Sequence, residues 1–189
     1  MTRRIGLLGG SFNPAHAGHL HVAATALKRL RLTEVWFVLA LGNPLKVEHG
    51  DYDERAASVG AQIARYARFK LCEIEAEQGL SYTIDTIATL KHIYRDDAFV
   101  WLMGGDNLET FHRWRAWEQI ACAVPMAIIA RPGARPFQSV FERRFAFARL
   151  AERAAPSLAD YKAPAWVYIR APLHPQSSTH IRNGVRQSD

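Results

Sequence analysis

The chain has almost no cysteine. Cys72 and Cys122 are the two in 189 residues, and both stand in apolar stretches. Two thiols cannot build a disulfide framework or a cysteine-based metal cluster, so they read as buried free thiols. No apolar run approaches the roughly 20 residues that a membrane-spanning helix needs. Arg3-Arg4 ahead of Ile5–Leu8 has the look of a secretory head, but the run breaks at Gly9, and no signal peptide is expected. Blocks of one charge are also missing. The net charge of +6 is scattered along the chain, and no nucleic-acid-binding motif accompanies it. There is no repeat, no low-complexity tract and no linker. These absences argue against membrane and nucleic-acid partners and predict one cytoplasmic domain over residues 1–189. A hydrophobic share of 49% excludes disorder and gives material for a substantial core.

What is present begins with Gly9-Gly10-Ser11-Phe12-Asn13-Pro14-Ala15-His16-Ala17-Gly18-His19-Leu20. A short apolar run, Ile5–Leu8, precedes it and reads as a buried strand. Leu20–Leu27 follows and reads as a helix. A strand-to-helix turn offers backbone N–H groups and the positive end of a helix dipole to an anion. Gly9 and Gly10 leave no side chain in the way of a close ligand. Ser11 and Asn13 shape the turn or donate to the ligand, and Pro14 stiffens it. His16 and His19 are three apart, so both can face one ligand. The stretch is neither G-x-G-x-x-G nor a P-loop. A His-x-x-His pair without Cys or carboxylate neighbours is weak for zinc, and no metal site is assigned.

The rest of the chain alternates. Strands are predicted at Val35–Leu39, Phe69–Ile74, Phe99–Met103, Met126–Ala130 and Trp166–Ile169. Helices are predicted at Gly18–Arg31, Asp53–Arg68, from Ser81–Thr83 onward, Asn107–Phe111, Arg115–Ala121, Phe137–Ala154 and Ser178–Arg182. Asp51 or Asp53 would cap the second helix, and Ser81 or Thr83 the third. Ile84, Ile87, Leu90 and Ile93 would form the third helix's apolar face. Alternation of this kind predicts an α/β fold, a doubly wound and mainly parallel sheet. Ligands in such sheets sit beyond the C-terminal strand ends, where the unusual residues fall.

Gly10-Ser11-Phe12-Asn13-Pro14-Ala15-His16-Ala17-Gly18-His19 resembles the His-x-Gly-His signature of the nucleotidylyltransferase superfamily. Ser177-Ser178-Thr179-His180-Ile181-Arg182 resembles its second signature, I-S-S-T-x-I-R. From Ile5 to about Arg182 the chain is similar to the bacterial nicotinate mononucleotide adenylyltransferases. The resemblance implies a Rossmann-like nucleotidylyltransferase fold. It implies transfer of an adenylyl group from ATP to nicotinate mononucleotide, with magnesium riding on the ATP phosphates. It leaves a homo-oligomer open.

By the same resemblance His16, His19, Lys46 and Arg182 are the catalytic candidates. Gly9, Gly10, Ser11, Phe12, Gly104, Asp106, Arg131, Ser178 and Thr179 join His16, His19 and Arg182 around ATP. Asn13, Lys46, Ser81, Tyr82, Thr83, Asp106, Trp114 and Arg115 hold the mononucleotide. Trp114 would stack on the pyridine ring, and backbone N–H groups at Thr83 and Arg115 would receive the carboxylate. Three alternatives stand beside this: phosphopantetheine as substrate, nicotinamide mononucleotide as substrate, or a catalytically idle nucleotide-binding protein.

Overall fold

The computed structural model describes residues 2–42, 50–132 and 138–172. Seven strands form one sheet among them: β1 (Arg4–Gly10), β2 (Glu34–Leu39), β3 (Phe69–Cys72), β4 (Ala98–Gly104), β5 (Met126–Ile129), β6 (Arg149–Leu150) and β7 (Trp166–Ile169). Their order is β3-β2-β1-β4-β5-β7-β6, and every pairing is parallel. The chain leaves β1 in one direction for β2 and β3, then crosses back to β4 on the other side. That reversal opens a crevice beyond the C-terminal ends of β1 and β4.

Both faces of the sheet are covered, and alternate residues of one strand feed different cores. Leu8 joins Phe37, Leu39, Leu102 and Ile129 under α1 (Ala17–Arg29) and α2 (Tyr52–Ile63). Leu7 joins Trp36, Trp101, Met103 and Ile128 on the opposite face. The helices there include α4 (Thr83–Ile93), α6 (Trp117–Ala123) and α7 (Val140–Arg144). A five-residue α3 (Ile74–Gln78) and a four-residue α5 (Leu108–Phe111) complete the helices of the described chain. None of its helices is long and apolar enough to cross a membrane.

Several sequence expectations need correction. The helix expected at Phe137–Ala154 is broken. A capping box at Ser139 and Glu142 starts α7, which stops at Arg144. Next come a 3₁₀ turn at Ala146–Ala148, then β6, then a 3₁₀ segment at Glu152–Asp160. The open edge of β7 is the physical cause. Its ladder groups take Arg149 and Leu150 as partners, and the Trp166 indole N–H donates to the Phe145 carbonyl at 2.7 Å. Those bonds outweigh helix propensity, which is worth only tenths of a kcal/mol per residue.

The second helix ends at Ile63, not near Arg68. β3 ends at Cys72, and the unpredicted α3 follows, closed by Gly79 in the left-handed region at φ 63°. Tyr82, not Ser81 or Thr83, is the N-cap of α4, and it makes no side-chain capping bond. Asp51 does cap α2, accepting from the Glu54 N–H at 3.0 Å. Ile93 is 49% exposed while Ile87 and Leu90 are buried, because a 3-3-3 spacing drifts off one face of a 3.6-residue helix. The thiols are not both buried: Cys72 is half-buried and Cys122 exposed. Desolvation pushes the Cys72 thiol up.

Candidate active site

The turn after β1 is shaped from inside. Phe12 takes φ 44°, a conformation that costs a non-glycine residue about 1–2 kcal/mol. Its side chain is buried, stacking edge-on to His19 at 4.9 Å and against Phe37 at 5.6 Å. What Phe12 offers a ligand is therefore backbone. The glycines also serve the protein's own rings. A Cβ at Gly9 would stand 2.5 Å from the Trp101 indole, and one at Gly10 would stand 3.1 Å from the Phe12 ring. Trp101 is only 2% exposed and cannot retreat. Gly9→Ala should cost about 1–3 kcal/mol of stability by overpacking, read as a fall of several degrees in Tm. An unchanged melting curve would contradict this packing.

His16 is the N-cap of α1, 4% exposed. Its Nδ1 accepts from the Gly18 N–H at 3.0 Å. The His16 backbone N–H in turn donates to Nδ1 of His19 at 3.2 Å. This is a capping box made of two imidazoles. Neither Nδ1 can carry a proton while it accepts, so each neutral ring holds its proton on Nε2, as a donor. The two rings lie 3.8 Å apart, centroid to centroid. The sequence shows both histidines but not this cap. An N-cap histidine is rare enough that capping rules do not flag it.

Beside this turn lies a cavity of about 370 Å³. Gly10, Ser11, Ala40 and Gly42 line one side of it, and Ser81, Tyr82, Thr83, Trp114 and Arg115 line the other. Trp114 meets Trp101 and Phe111 edge-on at 6.3 and 5.3 Å, so it is half core and half cavity wall. The Arg115 guanidinium lies over the Tyr82 ring at 4.3 Å. Thr83 is the first residue of α4, where leading N–H groups lack carbonyl partners within the helix. At the end of β4, Asp106 and Arg131 approach to 3.8 Å. Both crowd Gly104, where a Cβ would meet Asp106 Oδ1 at 2.4 Å and Arg131 Cγ at 3.1 Å. The Asn13 amide packs on Gly50.

Of the sequence-predicted residues, Gly10, Ser11, Ser81, Tyr82, Thr83, Trp114 and Arg115 share this one cavity. Lys46, Ser178, Thr179 and Arg182 lie outside the described residues. Ala40, Gly42 and two charged residues, Arg113 and Glu75, also line the cavity without being singled out by sequence. Arg113 sits on the rim. Glu75 is 6% exposed, and burial pushes its carboxyl up against the pull of two hydrogen-bond donors, Thr86 and Leu41. Glu75 falls in the undetected α3, between Glu73 and Glu77 in similar sequence context, so no local pattern marks it.

A parallel sheet with its crevice at a β1/β4 reversal, and an imidazole-capped turn directly after β1, is a nucleotide-site architecture. Over residues 7–184 the chain matches the cytidylyltransferase-like family, and it belongs to that family. It groups there with the nicotinate-nucleotide adenylyltransferases. A Caulobacter sp. (strain K31) protein named probable nicotinate-nucleotide adenylyltransferase is 49% identical over 183 residues, spanning 95% of this chain and 96% of that one. A Rhizobium johnstonii protein of the same name is 44% identical over 189 residues, spanning 98% and 94%. Among solved structures, a Plasmodium falciparum nicotinic acid mononucleotide adenylyltransferase complexed with NaAD superposes with TM-score 0.75 at 18% identity. The match covers 96% of this chain and 83% of that one. That last likeness speaks for the fold.

Proposed function

We propose that this protein transfers the adenylyl group of ATP to nicotinate mononucleotide, forming nicotinate adenine dinucleotide and pyrophosphate in NAD biosynthesis. A phosphate oxygen of the mononucleotide attacks the α-phosphorus of ATP. The bond from that phosphorus to the bridging oxygen breaks, and pyrophosphate departs with the electron pair. The attacking oxygen is already anionic near neutral pH, so no strong base and no covalent enzyme intermediate are needed. Catalysis is placement plus stabilisation of charge on the phosphoryl group.

The observation that carries this reading is the imidazole pair. Each capping bond fixes a ring tautomer whose Nε2 is a donor, at a helix start that already favours an anion. In our reading those donors take the triphosphate, helped by Lys46, Ser178, Thr179 and Arg182. Asp106 and Arg131 border the adenosine. The flat face of Trp114 takes the pyridine ring, and N–H groups at Thr83 and Arg115 take its carboxylate. Asn13, Ser81 and Tyr82 complete the mononucleotide's surroundings.

Magnesium, when bound, would ride on the ATP phosphates. The described residues contain no cluster of three or more His, Cys, Asp or Glu side chains fit to hold a metal. A phosphate-chelated magnesium needs few protein ligands.

The test is direct. Purified protein with Mg-ATP and nicotinate mononucleotide should release pyrophosphate and the dinucleotide in equal amounts. Nucleotide binding without either product would leave a sensor protein in place of an enzyme.

A further inference from the structure

The root of the loop after β2 is gripped by two buried ions of opposite sign. The Leu41 N–H donates to Glu75 Oε2 at 3.2 Å, and the Leu41 carbonyl accepts from Arg55 at 3.2 Å. Arg55 also donates to the Ala40 carbonyl at 2.8 Å and, from the same nitrogen, to the Ser11 carbonyl at 3.0 Å. Glu75 Oε1 accepts from the Thr86 hydroxyl at 2.8 Å. One guanidinium therefore ties the turn after β1 to the end of β2. One carboxylate ties the end of β2 to α4. These three segments are walls of the same cavity.

Arg55 stands in a costly place, offset in part by the Tyr52 ring 5.3 Å from its guanidinium carbon and by the nearby Asp51 carboxylate. It is 3% exposed. Among the described residues it makes no ion pair, and its Nε has no hydrogen-bond partner. Its acceptors are neutral carbonyls. It also lies in the first turn of α2, the end of the dipole that opposes a cation. Burial lowers its pKa, which is the same cost seen another way. A buried positive charge beneath Ser11 is useful when a polyanion occupies the turn above it.

We propose that Arg55 and Glu75 are positioning residues for adenylyl transfer, a clamp that fixes the distance between the Ser11 turn and the Ala40–Leu41 wall. This rests on the function proposed above. The central variants are Arg55→Met, which removes fork and charge, and Arg55→Lys, which keeps charge but loses the fork. Glu75→Gln keeps the shape. Because an amide has one oxygen for two donors, the Leu41 N–H and the Thr86 hydroxyl, Glu75→Gln loosens this grip.

Two readouts are needed, steady-state turnover and Mg-ATP affinity by tryptophan fluorescence, each taken below the melting transition. Arg55→Met should lose about 10²-fold in kcat/KM, the scale of an ångström's misplacement, with weaker ATP binding. Arg55→Lys should recover part of the binding and little of kcat. Glu75→Gln should lose turnover while staying folded. The Arg55→Met, Glu75→Gln double variant should lose less than the product of the single losses, since both act on one peptide.

Wild-type values in both readouts for Arg55→Met would overturn the clamp, and so would strictly multiplicative losses. If Arg55→Met fails to fold, the other two variants decide it by the same measurements. A wild-type protein that binds ATP but makes no product would instead defeat the proposed function. The affinity series would then still decide the clamp.

Discussion

His19→Ala is expected to cut turnover by about 10²–10³-fold, the usual loss when one aimed donor leaves a charge-stabilising site. The fold should survive. His19 is only half-buried, and its ring accepts one capping bond from the His16 N–H. Losing such a cap costs about 1 kcal/mol, or a few degrees in a chain of this size. The loss should fall mainly on kcat, because the donor matters most when charge builds on the phosphoryl oxygens.

His16 needs a different substitution. Alanine there would remove both a donor and the helix cap. His16→Asn keeps an acceptor for the Gly18 N–H and isolates the chemistry. Turnover and thermal melting should be read on the same preparations. A folded His19→Ala protein with undiminished kcat would take the imidazole out of the reaction.

The second large effect is substrate choice. Nicotinate mononucleotide should exceed its amide counterpart in kcat/KM by about ten- to a hundredfold. In our reading the carboxylate accepts from backbone N–H groups at Thr83 and Arg115, both on the cavity wall. Hydrogen bonds to a charged acceptor are worth about 1.5–3 kcal/mol. A carboxamide presents one oxygen to these donors and turns its own N–H₂ toward the other, leaving a donor facing a donor. Arg113 and Arg115 at the rim add positive potential that favours the acid. Paired assays with Mg-ATP and either mononucleotide would read this. Equal or faster turnover of the amide would contradict the specificity and leave adenylyl transfer standing.

The sequence makes the doubly wound sheet legible because its strands are short apolar runs punctuated by Gly and Pro. β2, β4 and β5 are expected within two residues of where they lie. The largest failure comes from tertiary bonds that local pattern does not encode. Phe137–Ala154 has helix-forming residues throughout, yet the edge of β7 captures Arg149 and Leu150. α3 is too short for a period to show.

At the site, spacing marks His16 and His19 as candidates, and the family resemblance adds Thr83 and Trp114. Both hide what they do for the fold: a cap, a strained turn at Phe12, a tryptophan filling the space that Gly9 leaves. Arg55 and Glu75 are invisible at that level. Their partners are backbone groups of Ser11, Ala40 and Leu41 and the Thr86 hydroxyl, and backbone groups carry no sequence signature.

A structure of the protein with nicotinate adenine dinucleotide would test the whole account in one measurement. The pyridine ring should lie on Trp114, its carboxylate within hydrogen-bond reach of the Thr83 and Arg115 N–H groups, and the bridging phosphates against Nε2 of His16 and His19. A dinucleotide seated with its pyridine away from Trp114, or its phosphates out of reach of both imidazoles, would contradict it.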